Sequence, residues 1–344
     1  MTVSHTDRTR VEEPARRRSI GSGGLEQVCK PIHVALGNVR RAVARWLTPP
    51  EPQLKALFSG LRASQGKLIR PAVLLLGGRA VGSLTDEHVA AAAAVELLHT
   101  ASLIHDDIVD GEQLRRGALS LQARWGASEA MLAGDVVFGR ALQLARRSTP
   151  PAVTGLLLAA ARTVSDAELL HTHRRGDLTL TADEYLHIAR GKTGSLFGLA
   201  AGLGAMLSGG AGPVRRGLRR YGRALGLAYQ LADDCRDLAA DPAPGGAGVH
   251  RGCVTLPLLY YLEHCDAQER QWVATALREG NERQRADLGR RVLASGACSQ
   301  VRGTADTRLA RARRALTVLP GTEAKASLEE ATHYVSDTFD GCTP

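Results

Sequence analysis

The sequence predicts an all-α fold, a single-domain helical bundle, and three observations lead there. Alanine and leucine dominate from about residue 26 to about residue 335, with arginine and glutamate between them, and all four are strong helix formers. Runs of β-branched residues alternating over strand length are nearly absent. Proline and glycine pairs cut the chain into blocks of helical length. No Gly-rich phosphate loop, no Gly-x-Ser-x-Gly turn and no internal repeat interrupts the pattern.

The elements follow in order. Residues 1–25 are polar and Arg-rich and include Gly-Ser-Gly-Gly at 21–24, which reads as a disordered tail ahead of a domain spanning 26–344. Helical blocks are expected at 27–47, ended by Pro49-Pro50, and at 51–63 and 70–81, ended by Gly82-Ser83. Thr85, followed by Asp86-Glu87, caps a block over 86–108. Blocks at 119–124 and 127–147 precede Pro150-Pro151, which opens 151–171. Thr181, followed by Asp183-Glu184, caps 182–190, and 193–208 stops at Gly209-Gly210. The block 213–238 runs into a Gly/Pro-rich stretch at 242–248, and further blocks lie at 254–263, 267–279, 283–295, 301–318 and 323–336.

Composition excludes several classes. Of 344 residues, 44% are hydrophobic and 23% charged, enough apolar surface for a core. Lys+Arg number 44 and Asp+Glu 35, a net charge of +9, but aromatics are only 4% and acids interleave the bases. The densest basic cluster, Arg215, Arg216, Arg219, Arg220 and Arg223, has helical spacing and reads as a solvated face. No nucleic-acid partner is expected. The six cysteines form no Cys-x-x-Cys pair and no zinc spacing, so reduced thiols and a cytoplasmic location are expected. The first thirty residues carry no apolar signal core. The longest apolar stretch, Leu196–Leu207, is a dozen residues. A membrane-spanning helix needs roughly 20, so no transmembrane segment is expected.

Two stretches carry the chemistry. His99-Thr-Ala-Ser-Leu-Ile-His-Asp106-Asp107-Ile-Val-Asp110 and Gln230-Leu-Ala-Asp233-Asp234-Cys-Arg-Asp237 each contain Asp-Asp-x-x-Asp, 127 residues apart. On a helix, Asp106 and Asp110 share a side, as do Asp233 and Asp237. Asp is a mediocre helix former, so three in five positions are not there for helix stability. A hard divalent cation between them relieves their repulsion, and magnesium, which takes oxygen ligands and substrate phosphate, is the natural choice. A solvated helix end is the bland alternative for one such motif; two, each closing a long apolar helix, favour the metal. The substrate is then a polyanion, most naturally a diphosphate. Cations for a second diphosphate are present in Lys67 and Arg70 of Gly66-Lys-Leu-Ile-Arg-Pro71, in Arg115-Arg116, and with them His99, two turns before Asp106. Lys192-Thr193 is expected to open a helix, where backbone N–H groups add to an anion site.

These residues resemble the trans-isoprenyl diphosphate synthases, or polyprenyl synthetases. The matching segments are GKLIRP at 66–71, ELLHTASLIHDDIVDGEQLRRG at 96–117, WGASEAMLAGD at 125–135, EYLHIARGKTGSLF at 184–197, YQLADDCRD at 229–237 and TLPLL at 255–259. The resemblance covers roughly residues 30–335 and implies an all-α bundle around a deep central cavity, usually as a homodimer. It implies that Asp106, Asp110 and Asp233, with Asp237 in support, bind magnesium; Asp107 and Asp234 are expected to brace them. Lys67, Arg70, His99 and Arg116 would form the isopentenyl diphosphate site, and Arg115 and Lys192 would contact the allylic prenyl diphosphate. Thr193 and Gln230 would lie beside the reacting carbons. The implied activity is trans-polyprenyl diphosphate synthesis. The allylic C–O bond ionises, the double bond of isopentenyl diphosphate attacks the cation, and a proton leaves to the diphosphate.

In this family bulk below the first motif sets product length. Ala101 and Ser102 are small, so a product of C20 or longer is expected, with Phe138 as a possible deeper floor. The stretch DPAPGGAGVHRGCVTLP at 241–257 departs from the family pattern: it lacks two lysines, Cys253 stands in place of the second, and His250 and Arg251 are the available substitutes. His171 stands where the family commonly has Gln. Two other readings stay open. One is a same-fold terpene cyclase, or a prenyltransferase with another acceptor. The other is a non-catalytic subunit of a heteromeric synthase.

Overall fold

Pro31 splits the first expected helix. Lacking an N–H, it cannot continue the hydrogen-bond ladder, and the computed structural model has α1 at Ser22–Cys29, a 3-10 turn at Lys30–Ile32 and α2 at His33–Trp46. The structure describes residues 22–63, 66–239, 249 and 252–342. Of the expected tail, residues 1–21 lie outside these, and Ser22–Leu25 already belong to α1.

The other helices end within a few residues of their expected limits. They are α3 Lys55–Ala63, α4 Ile69–Arg79, α5 Asp86–Asp110, α6 Leu121–Trp125, α7 Ala127–Ser148, α8 Pro151–His173 and α9 Ala182–Ala189. Then come α10 Ser195–Leu207, α11 Gly212–Ala239, α12 Leu256–Glu263, α13 Ala267–Arg278, α14 Glu282–Ala294, α15 Ala297–Ala315 and α16 Glu323–Asp337. Thr85 and Thr181 do cap α5 and α9, each through a reciprocal box with the residue three positions on, His88 and Glu184. One feature has no helical counterpart. A two-residue antiparallel hairpin, β1 Leu114–Arg115 with β2 Ala118–Leu119, follows α5.

Burial explains the layering. Along α5 every residue from Ala90 to Leu98 is buried, so this helix is covered on all sides. It packs on α7, α2, α4 and α10. In α10 every residue from Leu196 to Ala205 is buried, between α4 and α11. At Gly204 a Cβ would lie 2.0 Å from the Leu74 carbonyl oxygen, so only glycine allows α10 to come this close to α4. α11 in turn packs on α15. The C-terminal end of α5 and the C-terminal part of α11, each bearing an aspartate motif, thus face one cavity. Among the described residues no helix is long and apolar enough to cross a membrane.

Candidate active site

The first motif is built from the end of α5. Residues 96, 99, 103, 106 and 110 recur at spacings of three and four, which puts Glu96, His99, Leu103, Asp106 and Asp110 on one stripe. Gly111 then takes a left-handed conformation and ends the helix. The Gln122 side-chain amide donates to the carbonyls of Asp107 at 2.8 Å and Glu112 at 2.9 Å, tying the helix end to α6. Asp107, buried, turns away from the stripe and accepts from Arg115 Nε at 2.8 Å. The hairpin therefore hangs on the middle aspartate and carries Arg115 and Arg116 to the cavity wall. Arg116 and Leu68 are the described non-glycine residues with positive φ, and both line the cavity. Strain of this kind gathers at functional sites.

The cavity has a volume of about 680 Å³. Lys67, Arg70, His99, Arg115, Arg116, Lys192, Thr193, Gln230, Asp106 and Asp233 all line it. Gln230 is set by a relay. Tyr185 Oη donates to the buried Asp234 carboxylate, Gln230 Nε2 donates to the same carboxylate at 3.0 Å, and Thr193 Oγ1 donates to Gln230 Oε1 at 2.5 Å. Asp234 thus braces the second motif as Asp107 braces the first. Burial pushes its carboxyl up to about 6, against the pull of Tyr185 and Gln230.

Charges across the cavity are coupled. Lys192 Nζ lies 2.6 Å from Glu168 Oε2 on α8 and 3.9 Å from Asp106 Oδ2. Burial pushes the Asp106 carboxyl up to about 6, with Lys192 opposing and Glu168 adding. Burial would also raise Glu168, but the His171 ring 3.9 Å away and the Lys192 ammonium outweigh this and hold it down at about 2. Arg70 is half-buried, stacks over Phe197 at 4.8 Å, and its Nε has no hydrogen-bond partner. Lys67 Nζ donates to Tyr334 Oη at 3.3 Å, so α16 closes this side.

Two expectations need correction. His99 is not a cation: burial, then Arg70 and Arg116, push its imidazole well below the usual range, so it stands neutral as a donor. Lys192 and Thr193 do not open a helix. They sit in a π-turn, Arg190–Gly194, that joins α9 to α10 without a break, and residues of such bulges often project into functional sites. Asp110 and Asp237 do not line the cavity. Asp110 stands at the outer turn in an ion pair with Arg175, and Asp237 is one turn beyond Asp233. Ser102 lines the cavity, whereas Ala101 is buried in the core and Phe138 packs against the core without reaching the cavity. His250, Arg251 and residues 241–248 lie outside the described residues.

Several cavity residues escaped the sequence reading. Glu96 was visible as the one acid on the apolar part of the α5 stripe. Arg236, paired with Asp233, lay inside the second motif. Tyr229 adjoins Gln230 in the same segment. Glu168 and Tyr334, which contact Lys192 and Lys67 beside the cavity, gave no local signal, because each arrives by tertiary packing.

The oxygen donors fit magnesium. This ion is held by one or two carboxylates with substrate phosphate and water completing its shell. Asp106 and Asp233 supply such donors from two sides of one cavity. Among the described residues no three ligating side chains converge on one point.

A family model for polyprenyl synthetase matches residues 51–293. The chain belongs to the polyprenyl synthetase family. It is 32% identical over 314 residues to octaprenyl diphosphate synthase of Escherichia coli K12, covering 90% of this chain and 97% of that one. It is 36% identical over 199 residues to geranylgeranyl diphosphate synthase of Methanosarcina mazei, covering 56% of this chain and 61% of that one. A polyprenyl synthase structure from Caulobacter crescentus CB15, complexed with calcium and isoprenyl diphosphate, superposes with a TM-score of 0.87 at 32% identity. It covers 93% of this chain and 99% of that one. This polyprenyl synthetase is accordingly a transferase of the trans-prenyl diphosphate synthase type.

Proposed function

We propose that the enzyme condenses isopentenyl diphosphate with an allylic prenyl diphosphate, with magnesium, to give a trans-polyprenyl diphosphate of C20 or longer. One observation carries the reading: a single cavity holds an acidic wall and a separate cationic wall. Asp106 and Asp233, with Asp110 at the mouth, would hold the metal, which neutralises the leaving diphosphate when bound. Lys67, Arg70 and Arg116 carry no such requirement and suit a metal-free diphosphate. The partnerless Arg70 Nε is a buried donor awaiting an acceptor.

The residues divide the chemistry between them. Lys192 stays an ammonium, because Asp106 and Glu168 outweigh the effect of burial; with Arg115 it receives charge on the leaving diphosphate. The allylic C–O bond breaks and its electron pair leaves with the diphosphate. The isopentenyl double bond then forms the new C–C bond, and the adjacent carbon loses a proton to a diphosphate oxygen. Thr193 and Gln230, fixed through Asp234, set polar oxygens beside the transient cation. The small Ser102 on the cavity wall supports a long product. A homodimer is part of the proposal. α7 exposes Met131 and Leu132, and α8, which packs on α7, exposes Leu158 and Leu169, the last 72% accessible; exposed apolar side chains of this size suit a partner.

The test is to incubate the enzyme with magnesium, isopentenyl diphosphate and, in turn, dimethylallyl, geranyl, farnesyl and geranylgeranyl diphosphate, then size the products. Chains of C20 or longer are expected. Hydrocarbon or alcohol without consumption of isopentenyl diphosphate would mark a cyclase, and no turnover a non-catalytic subunit.

A further inference from the structure

We infer a second anion site, for a small molecule bearing two or more adjacent phosphoryl groups, in an arginine-lined cleft between α11 and α15. The cleft has a volume of about 440 Å³ and is lined by Arg190, Arg220, Arg223, Arg308, Arg311 and Arg314. Ala224, Leu227 and Ala315 form its apolar floor. None of its residues lines the catalytic cavity.

The helical spacing places these arginines deliberately close. Arg220 and Arg223 stand one turn apart on α11, as do Arg308, Arg311 and Arg314 on α15. The small floor residues let the two helices approach with both sets facing the cleft. Six guanidinium groups around one concavity repel each other, and like charges a helical turn apart are destabilising. Some arginines on this chain are neutralised: Arg174, Arg175, Arg236 and Arg291 form ion pairs. Among the described residues none of the six in the cleft does. Arg308 is half-buried and its Nε has no hydrogen-bond partner. Burial, then Arg311 and Arg190, push its guanidinium below the usual range, with Asp183 only partly opposing. Among the described residues the chain itself therefore pairs no acid with these six guanidinium groups.

Guanidinium forks match phosphoryl oxygens in pairs, and a concave set suits a compact polyanion better than a flat surface. Free diphosphate and the diphosphate head of a prenyl chain share this chemistry. The apolar floor, where Ala224 and Ala315 are half-buried, would add affinity only for the second.

The experiment titrates inorganic diphosphate into the full-length protein in EDTA by calorimetry. Arg223 and Arg311 are exposed, so Arg223→Gln with Arg311→Gln should fold and keep wild-type elongation activity. This double variant is expected to lose one binding event per chain, which a Lys67→Gln, Arg116→Gln variant keeps. Its affinity at the cleft should fall about tenfold or more. On unmodified protein, diphosphate should also protect Arg223 and Arg311 from phenylglyoxal, read by peptide mass spectrometry. Farnesyl diphosphate, titrated into the Lys67/Arg116 variant, separates the sources: tighter binding than diphosphate indicates a prenyl head, equal binding the free anion. Unchanged titration of the Arg223/Arg311 variant, or no protection, overturns the proposal. So does binding to phosphatidylglycerol vesicles without any diphosphate binding at the cleft, which would make it a membrane-facing surface.

Discussion

The two aspartate motifs share a pattern and differ in their surroundings. In each, the first Asp faces the cavity and the second is buried as a brace, Asp107 for Arg115 and Asp234 for Gln230. Asp106, however, is desolvated and shares Lys192 with Glu168, while Asp233 is half-exposed and pairs with its own neighbour Arg236. The difference teaches that one motif takes its charge partner from the tertiary fold and the other from its own helix turn. The first is fixed in place. The second can release its partner to solvent at little cost, since exposed ion pairs are worth about 1 kcal/mol or less.

Removing the fixed side should cost most. Asp106→Ala is expected to lower kcat by about a thousandfold, and Asp233→Ala by about a hundredfold, in elongation assays at saturating magnesium. Equal losses would show that the two walls contribute alike. Cutting a brace should come next. Asp234→Leu leaves Tyr185 Oη without its acceptor and destabilises the protein by about 1–3 kcal/mol, read from denaturant midpoints, with a matching loss of kcat as Gln230 turns free.

A pH experiment probes the same contrast in EDTA. Asp106 and Asp234 have folded pKa values of about 6, above the ordinary carboxyl value of 3.8. Between those limits the folded state binds more protons than the unfolded one, so stability from these groups falls as pH rises from about 4 to about 6. Metal-free protein should therefore be more stable at pH 5 than at pH 7 by this contribution, and Asp106→Asn should flatten the profile. The smallest effect is expected from Arg236→Ala. Freeing Asp233 should lower the half-saturating magnesium concentration about two- to fivefold; no change would mean that Arg236 does not compete with the ion.

Much of this site was legible along the chain. The face on which Asp106 and His99 lie follows from helical spacing, and so does the shared side of Asp233 and Asp237. The charge state of His99 was not legible, since it depends on Arg70 and Arg116 arriving from other segments. Nor was the π-turn at Arg190–Gly194, because the blocks 182–190 and 193–208 read locally as two separate helices. There, a Cβ on Gly194 would meet the Arg223 carbonyl at 3.1 Å, so it is packing on α11 that carries the chain through.

By itself the amino-acid order determined the helices, their caps and the two acidic stripes, because those follow from propensity and from a period of 3.6 residues, which are properties of neighbours in the chain. Only the tertiary structure decided which aspartates see the cavity, which carboxyl is pushed up by burial, and where unpaired arginines gather. Those depend on desolvation and on charges brought near by segments distant in sequence, and neither has any trace in local spacing.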